Sequence, residues 1–199
     1  EIAEVALTHI RRVPRAVVSF GQGCEGDPLM AAWVIAEAIS RIRRETDAGT
    51  INVNTNASLP DRLKTLFDAG LDSVRVSLNS VREAPYTAYF RPNYAFADVL
   101  AAIDHALERD RWVSINYLSL PGFVDSSEES AALLAFLRDH PVKMIQWRNL
   151  NFDPVRYHAA MASAGPVGRP IGVRRLLDRV RREAPAVRHG YFNPPILGF

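Results

Sequence analysis

Short runs of period two alternate along the chain with longer runs of helical spacing. The period-two runs predict five strands, at 16–20, 50–58, 73–80, 112–120 and 143–151. Helical spacing predicts helices over 2–12, 28–45, 60–69, 96–109, 127–139, 154–162 and 173–183. The aromatic segment 81–93 is predicted as a long connection, and the residues after 183 as a proline-rich tail. Because each strand is followed by a helix, the pattern predicts an α/β fold with a parallel sheet and right-handed crossovers.

The loop after the first strand holds three glycines in six residues, Gly21, Gly23 and Gly26. It ends at Asp27-Pro28, which predicts a helix start: Asp accepts from free first-turn N–H groups, and proline at the first helical position loses no bond. α/β proteins place ligands at such strand–loop–helix junctions. The alternative is that the glycines only turn the chain and Asp27 only caps the helix.

One face of each predicted strand is polar. The polar positions are Ser19; Asn52, Asn54 and Asn56; Arg75, Ser77 and Asn79; Ser114 and Asn116; and Gln146 and Arg148. A parallel strand covered by helices on both faces is expected to be apolar throughout. The pattern therefore predicts a curved, helix-backed sheet with a wet, ligand-lined concave face. The alternative is a polar face that is solvent-exposed or paired across strands.

Composition narrows the class of protein. With 199 residues, 48% hydrophobic and 23% charged, the chain is typical of a globular protein, and its net charge of +2 does not indicate nucleic acid. One cysteine excludes an internal disulfide and a multi-thiolate metal site within these residues. No apolar run in these residues reaches the ~18 residues of a membrane span, and none has the pattern of a signal-peptide h-region. We expect a soluble, cytoplasmic protein without a membrane partner. The arginine-rich helix 173–183 is predicted as a solvated face, with RNA contact as the minority alternative.

Four motifs together resemble those of the radical S-adenosylmethionine (radical SAM) enzymes. Gly21-Gln-Gly-Cys-Glu-Gly-Asp-Pro-Leu is similar to that family's GGEP loop, and Asn54-Thr-Asn56 to its Thr-Asn-Gly. Val76-Ser-Leu-Asn-Ser80 resembles the ribose-contacting segment of its fourth strand, and Arg148-Asn-Leu-Asn151 falls where the sixth strand closes the site. The resemblance covers about residues 1–160, and its strength comes from the order and spacing of the motifs.

The resemblance implies a partial (β/α)6 TIM-like barrel with parallel strands, in which the five strands are the second to sixth. The first strand, missing from this chain, would carry the Cys-x3-Cys-x2-Cys loop of a [4Fe–4S] cluster, which these residues lack. We expect that an N-terminal segment has been removed; the alternative is a cluster-less relative. We further expect a barrel over 1–163, with a C-terminal helix and tail over 164–199 packed on or beside it.

The resemblance also implies the cofactors and the residues that bind them. S-adenosylmethionine would lie against Gly23, Glu25, Gly26 and Asp27 with its amino group, and against Ser77 and Asn79 with its ribose or carboxylate, while Asn54, Asn56, Asn116 and Arg148 would line the cavity. No catalytic residue or metal ligand is assigned. The [4Fe–4S] cluster is expected only with an upstream cysteine segment.

The expected activity is reductive cleavage of S-adenosylmethionine followed by hydrogen abstraction from an unknown small-molecule or peptide substrate. A reductant protein is the expected partner of the intact enzyme. One alternative is an ordinary barrel lyase or isomerase that acts on a small anion through Arg148 and a carboxylate such as Glu25. The other is a cluster-less, non-enzymatic binding scaffold.

Overall fold

A computed structural model describes residues 1–21 and 26–196. Its helices are α1 (Ile2–Arg12), α2 (Ala32–Glu45, preceded by a 3-10 turn over Pro28–Ala31), α3 (Pro60–Asp68), α4 (Glu83–Phe90), α5 (Phe96–Glu108), α6 (Ser127–Asp139), α7 (Pro154–Ser163) and α8 (Val173–Glu183). Its strands are β1 (Val17–Phe20), β2 (Thr50–Thr55), β3 (Ser73–Leu78), β4 (Trp112–Ser119), β5 (Met144–Asn149) and β6 (Arg188–Gly190).

The strands form one sheet in the order β1-β2-β3-β4-β5-β6. The pairs β1–β2, β2–β3 and β5–β6 are parallel, with Ser19 beside Asn52 and Asn52 beside Ser73. Helices alternate with the strands, which confirms the predicted α/β class with a parallel sheet. None of the helices in residues 1–21 and 26–196 has the length and apolar character needed to cross a membrane.

Two elements differ from the sequence predictions. The predicted connection 81–93 contains α4, and the predicted tail contains a sixth strand, β6. Helix α4 carries buried residues such as Pro85 and Tyr86 without an amphipathic stripe, so hydrophobic periodicity does not reveal it. Strand β6 has three residues, too few to show alternation, and it exists because it pairs with Met144–Gln146.

Side-chain caps begin the 3-10 turn before α2 and the helices α6 and α7 at the predicted positions. The Asp27 carboxylate accepts from the Leu29 N–H, and the Asp153 carboxylate accepts from the N–H groups of Val155 and Arg156. The Ser126 hydroxyl accepts from the Glu129 N–H at the start of α6. Each cap satisfies first-turn donors that have no partner within the helix.

The chain divides into two compact units, and β3 and β4 pass through both. The first unit comprises residues 1–76, 97–114 and the C-terminal residues from Phe192. Its core joins one face of β2 and β3 to α2, α3 and α5, and its fully buried members include Ile39, Ile42, Ile51, Val53, Leu63, Leu66, Val74, Val76, Val99 and Ile103.

The second unit comprises residues 77–96 and 115–191. Its fully buried residues include Tyr86, Ile115, Tyr117, Phe123, Leu133, Ile145, Tyr157, Met161, Leu176 and Val180. Phe123, Tyr157 and Met161 form one cluster, in which the rings of Phe123 and Tyr157 meet edge to face with centroids 5.8 Å apart. The predicted domain boundary at residue 163 does not coincide with these units and stays a prediction.

The polar face predicted to be wet is only partly closed to solvent. Asn52, Ser114 and Gln146 are each about 1% exposed, whereas four other positions are half-buried and two are exposed: Asn54, Asn56, Ser77 and Asn116, and Ser19 and Arg148. In the first unit the polar side chains bond across strands, as the alternative interpretation held. An asparagine in mid-strand is stable there because its amide donates to one neighbour and accepts from the other.

Candidate functional site

Polar side chains of β1, β2 and β3 form a cluster in the first unit, next to the predicted site residues of the glycine loop and β2. The Asn52 amide donates to the Ser19 hydroxyl (2.8 Å), and its Oδ1 accepts from the Ser73 hydroxyl (2.8 Å). The Asn54 amide donates to the Ser19 Oγ (3.2 Å) and to the Gly21 carbonyl oxygen (3.0 Å). These bonds tie three adjacent strands together and hold the beginning of the glycine loop on the end of β2.

The C-terminal segment also reaches this polar cluster. The Asn193 amide donates to the Ser19 Oγ and to the Asn54 Oδ1, both at 3.1 Å. Further along, the Ile196 N–H donates to the Thr50 hydroxyl at 2.9 Å. The segment therefore lies along β2, and the amide of Asn54, predicted to line the ligand cavity, is bonded within the chain.

Asp27 connects the end of the glycine loop to the end of β2. Besides capping the following turn, its carboxylate accepts from the Thr55 hydroxyl (2.8 and 2.9 Å) and from the Asn56 N–H (2.6 Å). Asn56 turns the chain as well, since its Oδ1 accepts from the Ser58 N–H. Both side chains thus have structural partners, and their predicted contacts with S-adenosylmethionine stay predictions.

The glycines of the loop differ in what surrounds them. Gly21 has φ +89°, and a Cβ there would lie 2.3 Å from the Asn54 carbonyl oxygen, so only glycine fits. Gly26 has φ +83° with open space around it, which leaves its backbone accessible. The predicted site residues Gly23 and Glu25 lie outside the described residues.

The predicted site residues on β4 and β5 lie in the second unit. Asn116 is half-buried and Arg148 is exposed. Within the described part of the chain, the Oδ1 of Asn116 and the Oε1 of the neighbouring strand's Gln146 are buried and accept no hydrogen bond. Two acceptors without donors on adjacent strands favour a ligand that supplies N–H or O–H groups. Ser77, also predicted to contact the ligand, is half-buried at the end of β3.

Asn79, by contrast, is fully buried. Its amide donates to the Pro85 carbonyl oxygen (3.1 Å) and to the Tyr157 hydroxyl (3.4 Å), which joins α4 to α7. Burial raises the pKa of Tyr157, so this hydroxyl stays protonated. The structure gives Asn79 a packing role, and its predicted contact with ribose or carboxylate stays a prediction.

A buried carboxylate, Glu129 at the start of α6, was not predicted from the sequence. It is fully buried and accepts from the Ser80 hydroxyl (2.9 Å), from the Arg82 Nε (2.8 Å) and from the Tyr117 hydroxyl. Burial and the adjacent carboxylate raise the pKa of Tyr117 well above its ordinary value, so the phenol remains a donor. The only sequence signal was Glu129 three residues after Ser126, the spacing of a capping box.

Sequence reasoning also left other residues of these clusters unassigned. Ser19 and Gln146 were placed on the polar faces but given no role, although Ser19 is the shared acceptor of three amides. Asn193 carried no usable signal, because nothing in a proline-rich tail indicates contact with a strand far away in sequence. Among the described residues, no group of three His, Cys, Asp or Glu side chains is arranged to hold a metal ion.

The arginines of α8 form ion pairs on its surface. The pairs Arg179–Glu183 and Arg181–Asp178 have N–O distances of 3.2 Å, and Arg182 lies 3.5 Å from Glu183. This arrangement agrees with the predicted solvated face and does not favour the RNA alternative.

Comparison with known proteins gives the family. The family model of the radical SAM superfamily matches residues 1–134. A GTP 3',8-cyclase of Chlorobaculum tepidum is 28% identical over 162 residues, which are 80% of this chain and 46% of that protein. The "Probable GTP 3',8-cyclase" of Methanocella arvoryzae is 27% identical over 170 residues, 81% of this chain and 53% of that protein. The chain thus spans about half the length of the curated relatives it matches.

A solved structure shows the same fold. A domain of a pyruvate-formate lyase-activating enzyme from Bacteroides vulgatus superimposes with a TM-score of 0.62 at 11% identity, covering 89% of this chain and 99% of that one. This likeness confirms the predicted partial TIM-like barrel architecture. The family match, which spans the glycine loop and strands β1 to β4, leads to the conclusion that the chain belongs to the radical SAM superfamily.

Proposed function

We propose that the intact protein is a radical SAM enzyme that binds S-adenosylmethionine, cleaves it reductively and abstracts hydrogen from a small-molecule or peptide substrate. The observation that supports this most directly is the bonding of Asp27 to Thr55 and Asn56. It fixes the end of the glycine loop at the carboxyl end of β2, which is the edge of a parallel sheet where α/β proteins bind ligands.

The donors and acceptors of this chain fit S-adenosylmethionine. In the first unit the backbone at Gly26 is accessible to the ligand's amino group. In the second unit the buried acceptors of Asn116 and Gln146 suit hydroxyl donors such as those of its ribose. The guanidinium of Arg148 is exposed and forms no ion pair with another described residue. Its planar fork suits the carboxylate of S-adenosylmethionine. Bound S-adenosylmethionine supplies the 5′-deoxyadenosyl group from which such enzymes generate their radical.

The iron–sulfur cluster does not fit these 199 residues. They contain a single cysteine, Cys24, whereas the family's cluster motif uses three. We therefore derive no step through the cluster and propose that its ligands come from a segment outside this sequence. A reductant protein and a [4Fe–4S] cluster belong to the intact enzyme under this proposal.

The alternative of an ordinary lyase or isomerase has less support. The described strands carry no lysine and no carboxylate that could form a Schiff base or act as general base. Glu25, the carboxylate of that alternative, lies outside the described residues. The relatives named GTP 3',8-cyclases make GTP the first substrate to test, together with small peptides.

The test uses the full-length protein, purified without air and reconstituted with iron and sulfide. With dithionite and S-adenosylmethionine, we expect 5′-deoxyadenosine and methionine to form. Arg148→Ala is expected to weaken S-adenosylmethionine binding on the order of tenfold, the loss of about one charge-assisted hydrogen bond.

The matched control is Arg174→Ala, which removes an exposed arginine of α8 and should leave the affinity unchanged. If both Arg148→Ala and Gln146→Leu bind S-adenosylmethionine as the wild type does, the assignment of this face is wrong. If the full-length protein carries no cluster but still binds S-adenosylmethionine, the non-enzymatic scaffold is the better description.

A further inference from the structure

The second unit contains a cleft that none of the roles described above uses. It lies between α4 and α7, has a volume of about 820 Å³ and is lined by Tyr89, Phe90, Arg91, Phe152, Arg156 and Tyr157, with three alanines at its base. We call it the aromatic cleft. Its volume is in the range of pockets that bind small molecules.

Aromatic rings form its walls. The Tyr89 ring meets the rings of Phe152 and Tyr157 edge to face, with centroids 6.3 and 5.2 Å apart, and it meets Phe90 at 4.8 Å. Phe152 is 49% exposed, which is unfavourable for a phenyl ring in water. Phe152 therefore offers ring surface to a planar ligand, and Tyr89 is half-buried beside it, whereas Tyr157 is fully buried behind them.

The charges of the cleft are positive. Among the residues that the structure describes, no Asp or Glu lines the cleft, whereas Arg91 and Arg156 do. The Arg156 side chain is 80% exposed, and its Nε lies 3.9 Å from the Oδ2 of Asp153. The Oδ1 of the same carboxylate caps α7. The Arg91 side chain forms no ion pair and no hydrogen bond with any residue in 1–21 or 26–196. Two arginines beside apolar walls favour an anion, because the guanidinium binds carboxylate and phosphate through two parallel bonds.

The backbone at Arg91 is a second, independent indication. Arg91 ends α4 with φ +47° and ψ 51°, the left-handed conformation that glycine or asparagine usually adopts at this place. An arginine there is strained, and strained residues concentrate at ligand sites. The strain is accounted for if the side chain at position 91 is needed at the rim of the cleft.

We propose that the aromatic cleft binds a small planar aromatic anion, with the ring against Tyr89 and Phe152 and the carboxylate or phosphate between Arg91 and Arg156. The proposal goes beyond the proposed function, because it depends only on contacts within residues 77–96 and 115–191. It holds or fails whether or not the protein cleaves S-adenosylmethionine.

The test is calorimetric titration of the full-length protein, without S-adenosylmethionine, using four probes. These are 2-naphthoate, 2-naphthyl phosphate, the neutral 2-naphthamide and the non-aromatic cyclohexanecarboxylate. We expect saturable binding of at least one aromatic anion, and at least about tenfold weaker binding of the amide and of cyclohexanecarboxylate. The ratio between naphthoate and naphthyl phosphate identifies whether carboxylate or phosphate is the preferred group.

Variants locate the site. The double variant Arg91→Gln/Arg156→Gln should bind the anion on the order of tenfold less tightly, whereas Arg174→Gln on α8 should bind it as the wild type does. Because Arg91 and Arg156 are exposed, both variants are expected to fold, and circular dichroism verifies it. The proposal is overturned if no aromatic anion binds, if the amide binds equally well, or if the folded double variant keeps the wild-type affinity.

Discussion

Glu129 is the residue whose environment is most demanding energetically. A fully buried carboxylate is stable only with partners, and here Arg82, Ser80 and Tyr117 provide them. We expect Glu129→Ala to lower the free energy of unfolding by about 3–5 kcal/mol, because it leaves Arg82 without its counter-charge. Glu129→Gln keeps an acceptor oxygen but also removes the counter-charge of Arg82, so it should cost nearly as much. Urea unfolding measures both, and a much smaller loss in Glu129→Gln would contradict a role for the charge.

Gly21 and Gly26 form a matched pair for testing the glycine loop. Both have positive φ, but only at Gly21 would an added Cβ meet the backbone, at 2.3 Å from the Asn54 oxygen. Gly26→Ala is therefore expected to cost about 1 kcal/mol for the left-handed conformation alone. Gly21→Ala should cost a further ~1–3 kcal/mol for the clash. Denaturant unfolding of the two variants compares them, and similar losses would mean that the loop relaxes around Gly21.

His189 makes stability depend on pH. Burial, aided by the charge of Arg181, lowers the pKa of His189 below its ordinary 6.5, and its Nδ1 accepts from the Trp147 indole N–H at 2.9 Å. Between the lowered folded pKa and the ordinary pKa of about 6.5, the unfolded chain binds a proton that the folded chain does not. The stability that depends on neutral His189 is therefore complete above about pH 6.5 and is lost as the pH falls. In His189→Gln, the thermal midpoint should fall less between about pH 7 and pH 5.5 than in the wild type. An unchanged slope would contradict the prediction.

At the scale of elements, Asn52 joins three strands. It is buried between the hydroxyls of Ser19 and Ser73 and also donates to the Asn54 Oδ1, so Asn52→Ala removes three bonds and leaves a buried hydroxyl without its acceptor. We expect a loss of about 1–3 kcal/mol in the free energy of unfolding. Asn193→Ala, in the C-terminal segment, removes bonds to the exposed Ser19 and the half-buried Asn54 and should cost less. Chemical denaturation ranks the two, and the reverse order would mean that the C-terminal segment stabilises the sheet more than Asn52 does.

The sequence predicted those elements that carry a repeated or chemically specific signal. Helix α1 has apolar residues at helical spacing, and α7 begins at Asp153-Pro154, so both starts were predicted correctly. Helix α4 and strand β6 were missed because long-range contacts stabilise them. Gly190 of β6 shows this, since a Cβ there would lie 2.2 Å from the Met144 sulfur, a contact with a residue more than forty positions earlier.

The same limit applies to the candidate site. The alternation of Asn52 and Asn54 placed both on one face correctly, but alternation cannot distinguish a ligand-lined face from one whose side chains bond to each other. That distinction depends on Ser73 and Asn193, which are brought to the face by strand register and by the C-terminal segment. The aromatic cleft likewise depends on the packing of α4 against α7, and the first of these helices was not predicted.

At the scale of the whole molecule, β1 lies at one edge of the sheet, and this edge bears on whether the 199-residue chain self-associates. The Thr50 N–H donates to the Ala16 carbonyl oxygen, so in the parallel ladder residues 16, 18 and 20 bond to β2, while the N–H of Val17 points away from it. An apolar cavity of about 490 Å³ between α1 and β1 lies beside this edge, lined by Ile2, Val5, Val17 and Phe20 among others. No other described strand pairs with the outer edge of β1, and an apolar edge of this kind can recruit another strand.

We therefore expect the 199-residue chain to self-associate through β1. Val17→Pro removes an outward N–H without removing a bond to β2, so it should shift the protein towards monomer in analytical ultracentrifugation while the fold is kept. Val18→Pro is the matched control: it removes a ladder bond, so it should destabilise the chain instead. If the 199-residue chain is monomeric and Val17→Pro changes nothing, the edge is already protected within these residues.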